Sequence, residues 1–165
     1  MAEQGASYKI INSVEVLKTM KFPFCTACMT PCEAVCSKGT ALESAFDIVR
    51  EAEGVIMISP VYFGSISGEL KALWDLFRYL RREKAFYNKF GAAVSVGATK
   101  FGGQETALRT MYDMMMVQGM LIAGDAYGEN MGHFGAAFVR PAVNDSEGIK
   151  SLERTVMRMI EITKK

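Results

Sequence analysis

The chain has 165 residues and a formal net charge of +1; half of its residues are apolar and 22% are charged. This length suits one domain, residues 1–165, and the composition is that of a globular protein with a core, which excludes a disordered segment. The balanced charge offers no electrostatic basis for binding nucleic acid or an anionic membrane. Because no apolar run is long enough to cross a bilayer and the N-terminus lacks a signal-peptide pattern, we expect a cytoplasmic protein without a membrane partner.

The first third of the chain alternates between extended and helical patterns. Tyr8–Val14 is short, β-branched and apolar, which predicts a strand. Residues 19–39 hold Pro23, Pro31, Gly39 and every cysteine, so they predict a loop that is long enough to be functional. The apolar residues of Thr40–Glu53 recur at helical spacing, and Gly54–Ser59 is apolar almost throughout, as expected of a strand covered on both faces. Pro60 ends that strand.

The same alternation continues towards the C-terminus. A helix capped by Ser67 follows, then a buried strand at Phe90–Gly97, a helix at Gln104–Gly119 and a short strand at Met120–Ala123. The inward faces of the two helices are predicted to consist of Leu70, Leu73, Trp74, Phe77 and Leu80 in the first, and of Leu108, Met111, Tyr112 and Met115 in the second.

A glycine-rich connection, residues 124–145, leads to the last predicted helix, Ser146–Thr163. Its inward residues are expected to be Ile149, Leu152, Val156, Met159 and Ile160. Strands alternating with helices predict an α/β protein with a doubly wound parallel sheet in three layers. Ligands of such sheets bind beyond the carboxyl ends of the strands, where the loops hold the cysteines, most glycines and the single His133.

The four cysteines follow the pattern Cys25-x2-Cys28-x3-Cys32-x3-Cys36 and occur nowhere else. In a reducing compartment such a group indicates metal binding or redox chemistry before a disulfide framework. Four thiolates within this span can wrap one [4Fe–4S] cluster. Structural zinc, which more often uses two separated Cys-x2-Cys pairs, and a thiol–disulfide switch are the alternatives.

Two further loops run from a strand end into a helix. Ser59–Lys71 can lay its backbone and its aromatic rings along a flat ligand, or its aromatics can simply cover the core. In Gly97–Thr106, backbone N–H groups near a helix start, with Thr99 and Gln104, can satisfy carbonyl and ribityl oxygens. Neither loop is a dinucleotide fingerprint or a Walker-type phosphate loop.

Taken in order, Pro60-Val-Tyr-Phe-Gly64, Gly68, Leu70-Lys71 and Gly102-Gly-Gln-Glu-Thr106 resemble the flavodoxin-like NAD(P)H-dependent FMN reductases. The Gly-Gly-Gln-Glu-Thr run is similar to that of the tryptophan-repressor-binding-protein family of quinone oxidoreductases. The cysteine-rich loop instead resembles that of the iron–sulfur flavoproteins, a branch of the same superfamily. The resemblance extends from about Tyr8 to the final helix.

The resemblance implies FMN as cofactor, with the ring flanked by both loops. The implied flavin contacts are Pro60, Tyr62, Phe63, Gly64, Ser65 and Ile66 on one side and Thr99, Phe101, Gly102, Gly103 and Gln104 on the other. Relatives often have His where this chain has Phe101, which suggests an apolar wall there. Gly132–Gly135 resembles a loop that closes over the flavin, sometimes from another subunit. No catalytic residue is assigned; His133 can donate a proton near flavin, although a lone His in such a loop is more often a surface residue.

The resemblance also implies a [4Fe–4S] cluster on the four cysteines, beside the flavin. The spacing differs from the usual one of that branch, so Cys25 and Cys28 match best and Cys36 least.

The family begins with a strand and a phosphate-binding loop that this sequence does not show. Tyr8–Val14 therefore matches the family's second strand, and Met1–Ser7 the end of its first helix. Without the first strand, sheet edges are left unpaired, which is costly. We expect a fragment or late-start product, with pairing of the second strand to the third, or a partner chain in the gap, as alternatives.

The predicted function is FMN-dependent electron transfer between cluster and flavin, with ferredoxin, NAD(P)H or a quinone as electron partner. The alternatives are an NAD(P)H-dependent FMN or quinone reductase without a cluster, and a non-catalytic metal-binding remnant. The family favours a homodimer or homotetramer.

Overall fold

The computed structural model describes residues 5–164. Its helices are α1 Ser13–Lys18, α2 Ala41–Glu51, α3 Gly68–Leu76, α4 Arg78–Arg82, α5 Gln104–Val117 and α6 Ser146–Thr163. Its strands are β1 Gly54–Pro60, β2 Phe90–Gly97, β3 Leu121–Ile122 and β4 Ala136–Val139. None of the helices in this part of the chain is both long and apolar enough to cross a membrane.

The sheet is parallel throughout and is centred on β2. β1 lies along one edge of β2, with Gly54 opposite Phe90, and β3 and β4 follow one another along its other edge. β3 and β4 are thus two pieces of one interrupted strand. The outer edge of β1 has no strand partner among residues 5–164, and Ile58 on that strand is 62% exposed.

Alternate residues of β2 face different helices, which produces three layers. Ala93 belongs to the large core formed with α1 to α5, whereas Ala92 and Val94 pack on the opposite face, with Met159 and Leu152 of α6. The α/β class with helices on both faces of a parallel sheet is therefore confirmed.

The predicted strand at Tyr8–Val14 is wrong. Residues 8–11 pair with no strand among the described residues, and a helix begins at Ser13. The side chain of Asn12 accepts hydrogen bonds from the N–H groups of Val14 and Glu15 at 3.0 and 3.3 Å, and an Asn three residues before a Glu is a helix-start pattern. The helix expected at Met1–Ser7 is not seen at residues 5–7, and Met1–Gln4 lie outside the described residues.

Two more differences concern the C-terminal half. The predicted connection at residues 124–145 contains β4, a run of four apolar residues that is too short to predict a strand among the surrounding glycines. In α6 the predicted Ile149 is exposed, and Leu152 and Val156 are only half-buried. Small residues (Gly148, Ser151 and Thr155) face the sheet instead, because the helix packs so closely that a Cβ on Gly148 would lie 2.5 Å from the Phe138 ring.

The remaining elements match the prediction within a few residues. The inward residues predicted for the Gln104 helix are all buried, and those of the Ser67-capped helix are buried except for half-buried Leu70. That helix breaks at Phe77 into α3 and α4.

The C-terminus of α2 is capped by a lysine from another part of the chain. Nζ of Lys89 donates to the carbonyls of Val49 and Arg50, both at 2.8 Å, and also to that of Ala52. Partial burial lowers the pKa of this ammonium group. Unsatisfied carbonyls at a helix end attract a cation, so Lys89 stabilises the junction between α2 and β1.

Replacing Lys89 with Met is expected to lower the free energy of unfolding by about 1–2 kcal/mol, because it removes the donor and keeps the aliphatic stem. Urea unfolding measures this. Lys71→Met is the matched control, since Lys71 pairs with Asp75 at 2.7 Å in an exposed position and should contribute less than about 0.5 kcal/mol. Equal losses in the two variants would contradict the capping role.

Candidate functional site

The loop after β1 ends in a tight aromatic turn. Tyr62 and Ser65 exchange backbone hydrogen bonds of 2.9 and 3.0 Å, and the two residues between them, Phe63 and Gly64, have φ values of 50° and 76°. Two successive residues at positive φ form a tight hairpin turn of the primed type. The turn holds the Phe63 ring fully in solvent, where it serves no packing purpose.

Buried serines hold the base of this loop. The N–H of Ser67 donates to Oγ of the fully buried Ser59 at 2.9 Å, and Oγ of Ser67 accepts from the N–H of Leu70 at the start of α3. The loop is thus closed on β1 and leads directly into a capped helix.

The loop after β2 is held from inside by Gln104. Its Nε2 donates to the carbonyls of Thr99 and Phe138 at 2.7 and 3.2 Å, and the side chain is buried. The amide group of Gln104 therefore shapes the loop from below. Phe101, at the tip of the loop, is 94% exposed.

The structure brings the two loops into contact. A Cβ on Gly103 would lie 3.1 Å from Cα of Gly64 and 3.4 Å from Cγ1 of Val61. The exposed rings of Phe63 and Phe101 thus belong to touching loops at the carboxyl ends of neighbouring strands. Of the other predicted ring contacts, Ile66 is buried in the core, Ser65 and Gly102 are half-buried, and Pro60, Tyr62 and Thr99 are exposed.

The cysteine-rich segment forms a closed loop between α1 and α2. At its neck, the N–H of Ala41 donates to Oγ1 of Thr19 at 3.0 Å. On its far side, Nη2 of Arg78 donates to Oγ1 of Thr30 at 3.1 Å, and Nη1 of Arg82 donates to the carbonyl of Cys32 at 2.9 Å.

All four cysteines carry free thiols and line one cavity of about 420 Å³. Burial, followed by repulsion from the other three sulfurs, raises the pKa of the Cys36 thiol, although its backbone hydrogen bond acts in the opposite direction. The charged side chains of the lining are all cationic: Lys21, Lys38 and Arg78. Within residues 5–164, no three Cys, His, Asp or Glu side chains converge closely enough to hold a single metal ion.

A buried carboxylate that the sequence did not single out anchors the loop between β3 and β4. Asp125 is fully buried, accepts from Oγ of Ser151 at 2.6 Å and from Nη2 of Arg154 at 2.7 Å, and also accepts from the N–H of His133. These bonds outweigh the opposing effect of burial and lower the pKa of Asp125 to about 2. The His133 ring is largely exposed, with Nδ1 3.6 Å from the carboxylate of Asp125.

Comparison with known proteins identifies the family of this chain. Residues 1–133 match the family described as NADPH-dependent FMN reductase. The chain belongs to this family. An iron–sulfur flavoprotein of Methanosarcina thermophila is 34% identical over 139 residues, which is 84% of this chain and 69% of the relative.

An iron–sulfur flavoprotein of Methanocaldococcus jannaschii is 31% identical over 169 residues, which is 99% of this chain and 84% of the relative. These matches assign this FMN reductase family member to the iron–sulfur flavoprotein branch. The crystal structure of a WrbA-like flavodoxin from Agrobacterium tumefaciens superposes with a TM-score of 0.64 at 14% identity, covering 74% of this chain and 73% of the other. The fold is thus flavodoxin-like. The family match and the two iron–sulfur flavoprotein relatives show that the protein is a flavin-dependent oxidoreductase.

Proposed function

We propose that this FMN reductase family member transfers electrons between FMN and a [4Fe–4S] cluster held by Cys25, Cys28, Cys32 and Cys36. The observation that carries the proposal is the set of four free thiols around one cavity of about 420 Å³. A flavin takes two electrons and releases them singly, so it couples a one-electron cluster to two-electron partners.

The arrangement of the sulfurs favours a cluster over a single zinc ion. A zinc site draws four sulfurs to about 2.3 Å from one ion and is usually built from two separated pairs. Here the cysteines follow one another at short intervals and stand on the wall of a shared cavity. A cluster is bound at its outer corners and suits thiols that surround a volume.

The two touching loops suit the flavin ring. Phe63 and Phe101 offer exposed aromatic faces, and a Cβ added to Gly64 would meet nothing within 4 Å, so one side of this backbone is open. An exposed ring beside a bare backbone can cover a flat heterocycle. We assign Phe63, Gly64 and Phe101 to the ring, with Tyr62, Gly102 and Gly103 completing the walls.

The electron partner is proposed from charge and from the family. Lys21, Lys38 and Arg78 line the thiol cavity and give it positive charge, which favours an acidic one-electron carrier such as ferredoxin. The family description supports NAD(P)H as a two-electron donor to the flavin.

Anaerobic reconstitution of the full chain with FMN, iron and sulfide tests the proposal. We expect flavin absorption bands with a broad iron–sulfur shoulder, together with protein-bound iron and acid-labile sulfide. Flavin without iron would replace the proposal by a cluster-free reductase, and bound zinc that iron cannot displace would do the same. A spectrum with neither chromophore would overturn both.

Phe63→Ala is expected to weaken FMN binding, since an aromatic contact contributes about 1 kcal/mol beyond its buried area. The Kd for FMN should then rise at least about fivefold, and further for the apolar area that alanine no longer buries, as measured by quenching of flavin fluorescence. Phe22→Ala is the control, because Phe22 is also an exposed aromatic residue but lies beside the cysteines. An unchanged Kd in Phe63→Ala would remove this residue from the ring site.

A further inference from the structure

One broken helix connects the two proposed redox centres. α3 begins at the base of the aromatic turn, and α4 ends at Arg82, beside the cysteine loop. From Ser67 to Arg82 the path is about 22 Å at the helical rise. We call α3 and α4 together the connecting rod.

The connecting rod is fixed to the main core and to α2. Leu80 and Phe77 are buried in the main core, and the carboxylate of Glu83 accepts from both Nε and Nη2 of Arg50 on α2, at 3.0 and 3.2 Å. A two-point guanidinium–carboxylate contact fixes orientation as well as distance. The C-terminal end of the connecting rod is therefore a rigid support for the cysteine loop, which it contacts.

The cysteine loop, by contrast, has few polar ties. Across the described part of the chain, residues 21–33 make only two hydrogen bonds to the rest of the protein, those from Arg78 to Thr30 and from Arg82 to Cys32. This stretch carries Cys25, Cys28 and Cys32. Arg78 and Arg82 are one helical turn apart, so both reach the loop from the same side of α4.

We infer that Arg78 and Arg82 are positioning residues, which hold Cys28 and Cys32 in register with the flavin loop through the connecting rod. The inference rests on the proposed function. Arg78 also lines the thiol cavity, so its positive charge stabilises the more negative, reduced form of a bound cluster. Loss of the two arginines should therefore loosen the thiols and lower the reduction potential of the cluster.

The test compares Arg78→Gln/Arg82→Gln with Arg81→Gln in the full chain. Arg81 lies on the same helix, and its side chain makes no hydrogen bond or ion pair with residues 5–164, which makes it a matched control. The first measurement is the alkylation rate of each cysteine in the metal-free, reduced protein. The second is the midpoint potential of the reconstituted cluster, and thermal unfolding checks that each variant is folded.

In the double variant we expect half-buried Cys32 to react about threefold to tenfold faster, as for the loss of one hydrogen bond, when the rates are compared at a pH at which the thiols are ionised. Cys25, which packs against the main core, should change less and serves as an internal reference. The midpoint potential of the cluster should become more negative. With lysine in place of glutamine at position 82, alkylation should slow again in part, because Arg82→Lys retains a donor for the carbonyl of Cys32. The result that would overturn the inference is an alkylation rate and a potential equal to those of Arg81→Gln. Failure of the wild-type chain to bind iron would count against the proposed function alone, since the alkylation rates still decide the positioning role.

Discussion

Replacing Cys28 with Ser is expected to abolish most iron binding in the reconstituted protein, from about four iron atoms per chain to a small fraction of that. A hydroxyl is a far weaker ligand for iron than a thiolate, and Cys28 lines the cavity with its free thiol exposed to incoming iron. Iron and sulfide analysis and the anaerobic absorption spectrum measure the loss. Flavin bands should persist, because the loops assigned to the flavin ring follow β1 and β2, whereas the cysteine loop lies between α1 and α2.

Thr26→Ala is the control for this change. Thr26 lines the same cavity two residues away but offers no thiol. Its iron content should match that of the wild-type chain. Full cluster assembly in Cys28→Ser would refute four-cysteine ligation and point to a ligand outside the loop.

Asp125→Asn is expected to lower the free energy of unfolding by about 2–3 kcal/mol, the largest stability effect we anticipate. The substitution keeps the shape of the side chain but removes the charge that pairs with the partly buried Arg154 at 2.7 Å. A charge left without its partner inside a protein is strongly destabilising. Urea unfolding at neutral pH measures the loss, with exposed Asp75→Asn expected to cost less than about 0.5 kcal/mol.

The difference between wild type and Asp125→Asn should depend on pH. The pKa of Asp125 lies at about 2 in the folded protein against an ordinary value of 3.8, so folding favours the ionised form. This contribution is complete above the unfolded pKa and is lost as the pH falls through the folded pKa. The two unfolding free energies should therefore differ by a constant amount above about pH 5 and converge between about pH 4 and pH 2. A difference that stays constant down to pH 2 would show that the charge of Asp125 is not the cause.

The elements that could be predicted are those with a strong local pattern. β1 and β2 are continuous apolar runs, and Ser67 and Asp145 precede helices whose N–H groups they cap. The errors occurred where local and long-range signals disagree. An extended, β-branched segment at residues 8–11 needs a neighbouring strand to become part of a sheet, and none pairs with it in the described structure.

The candidate site also combines features that could be predicted from the sequence with features that could not. The position of a loop follows from the order of the strands. The aromatic turn after β1 and the loop after β2 could therefore be placed at one edge of the sheet from the sequence. The inward orientation of Gln104 could not be, because its partner Phe138 lies 34 residues away on a strand that the glycine-rich composition concealed. The sequence predicted that Gln104 would contact the ligand. In the structure its buried amide supports the loop after β2 from inside.

The sequence by itself determined the alternation of strands and helices, the spacing of the cysteines and the order of the two loops assigned to the flavin ring. These depend on side-chain periodicity and on capping, which act over a few residues. Only the tertiary structure decided which distant groups meet: Arg82 with Cys32 across 50 residues, and Asp125 with Ser151 across 26. Such contacts leave no periodic trace in the chain, because folding around the core, rather than local spacing, brings their partners within hydrogen-bonding distance.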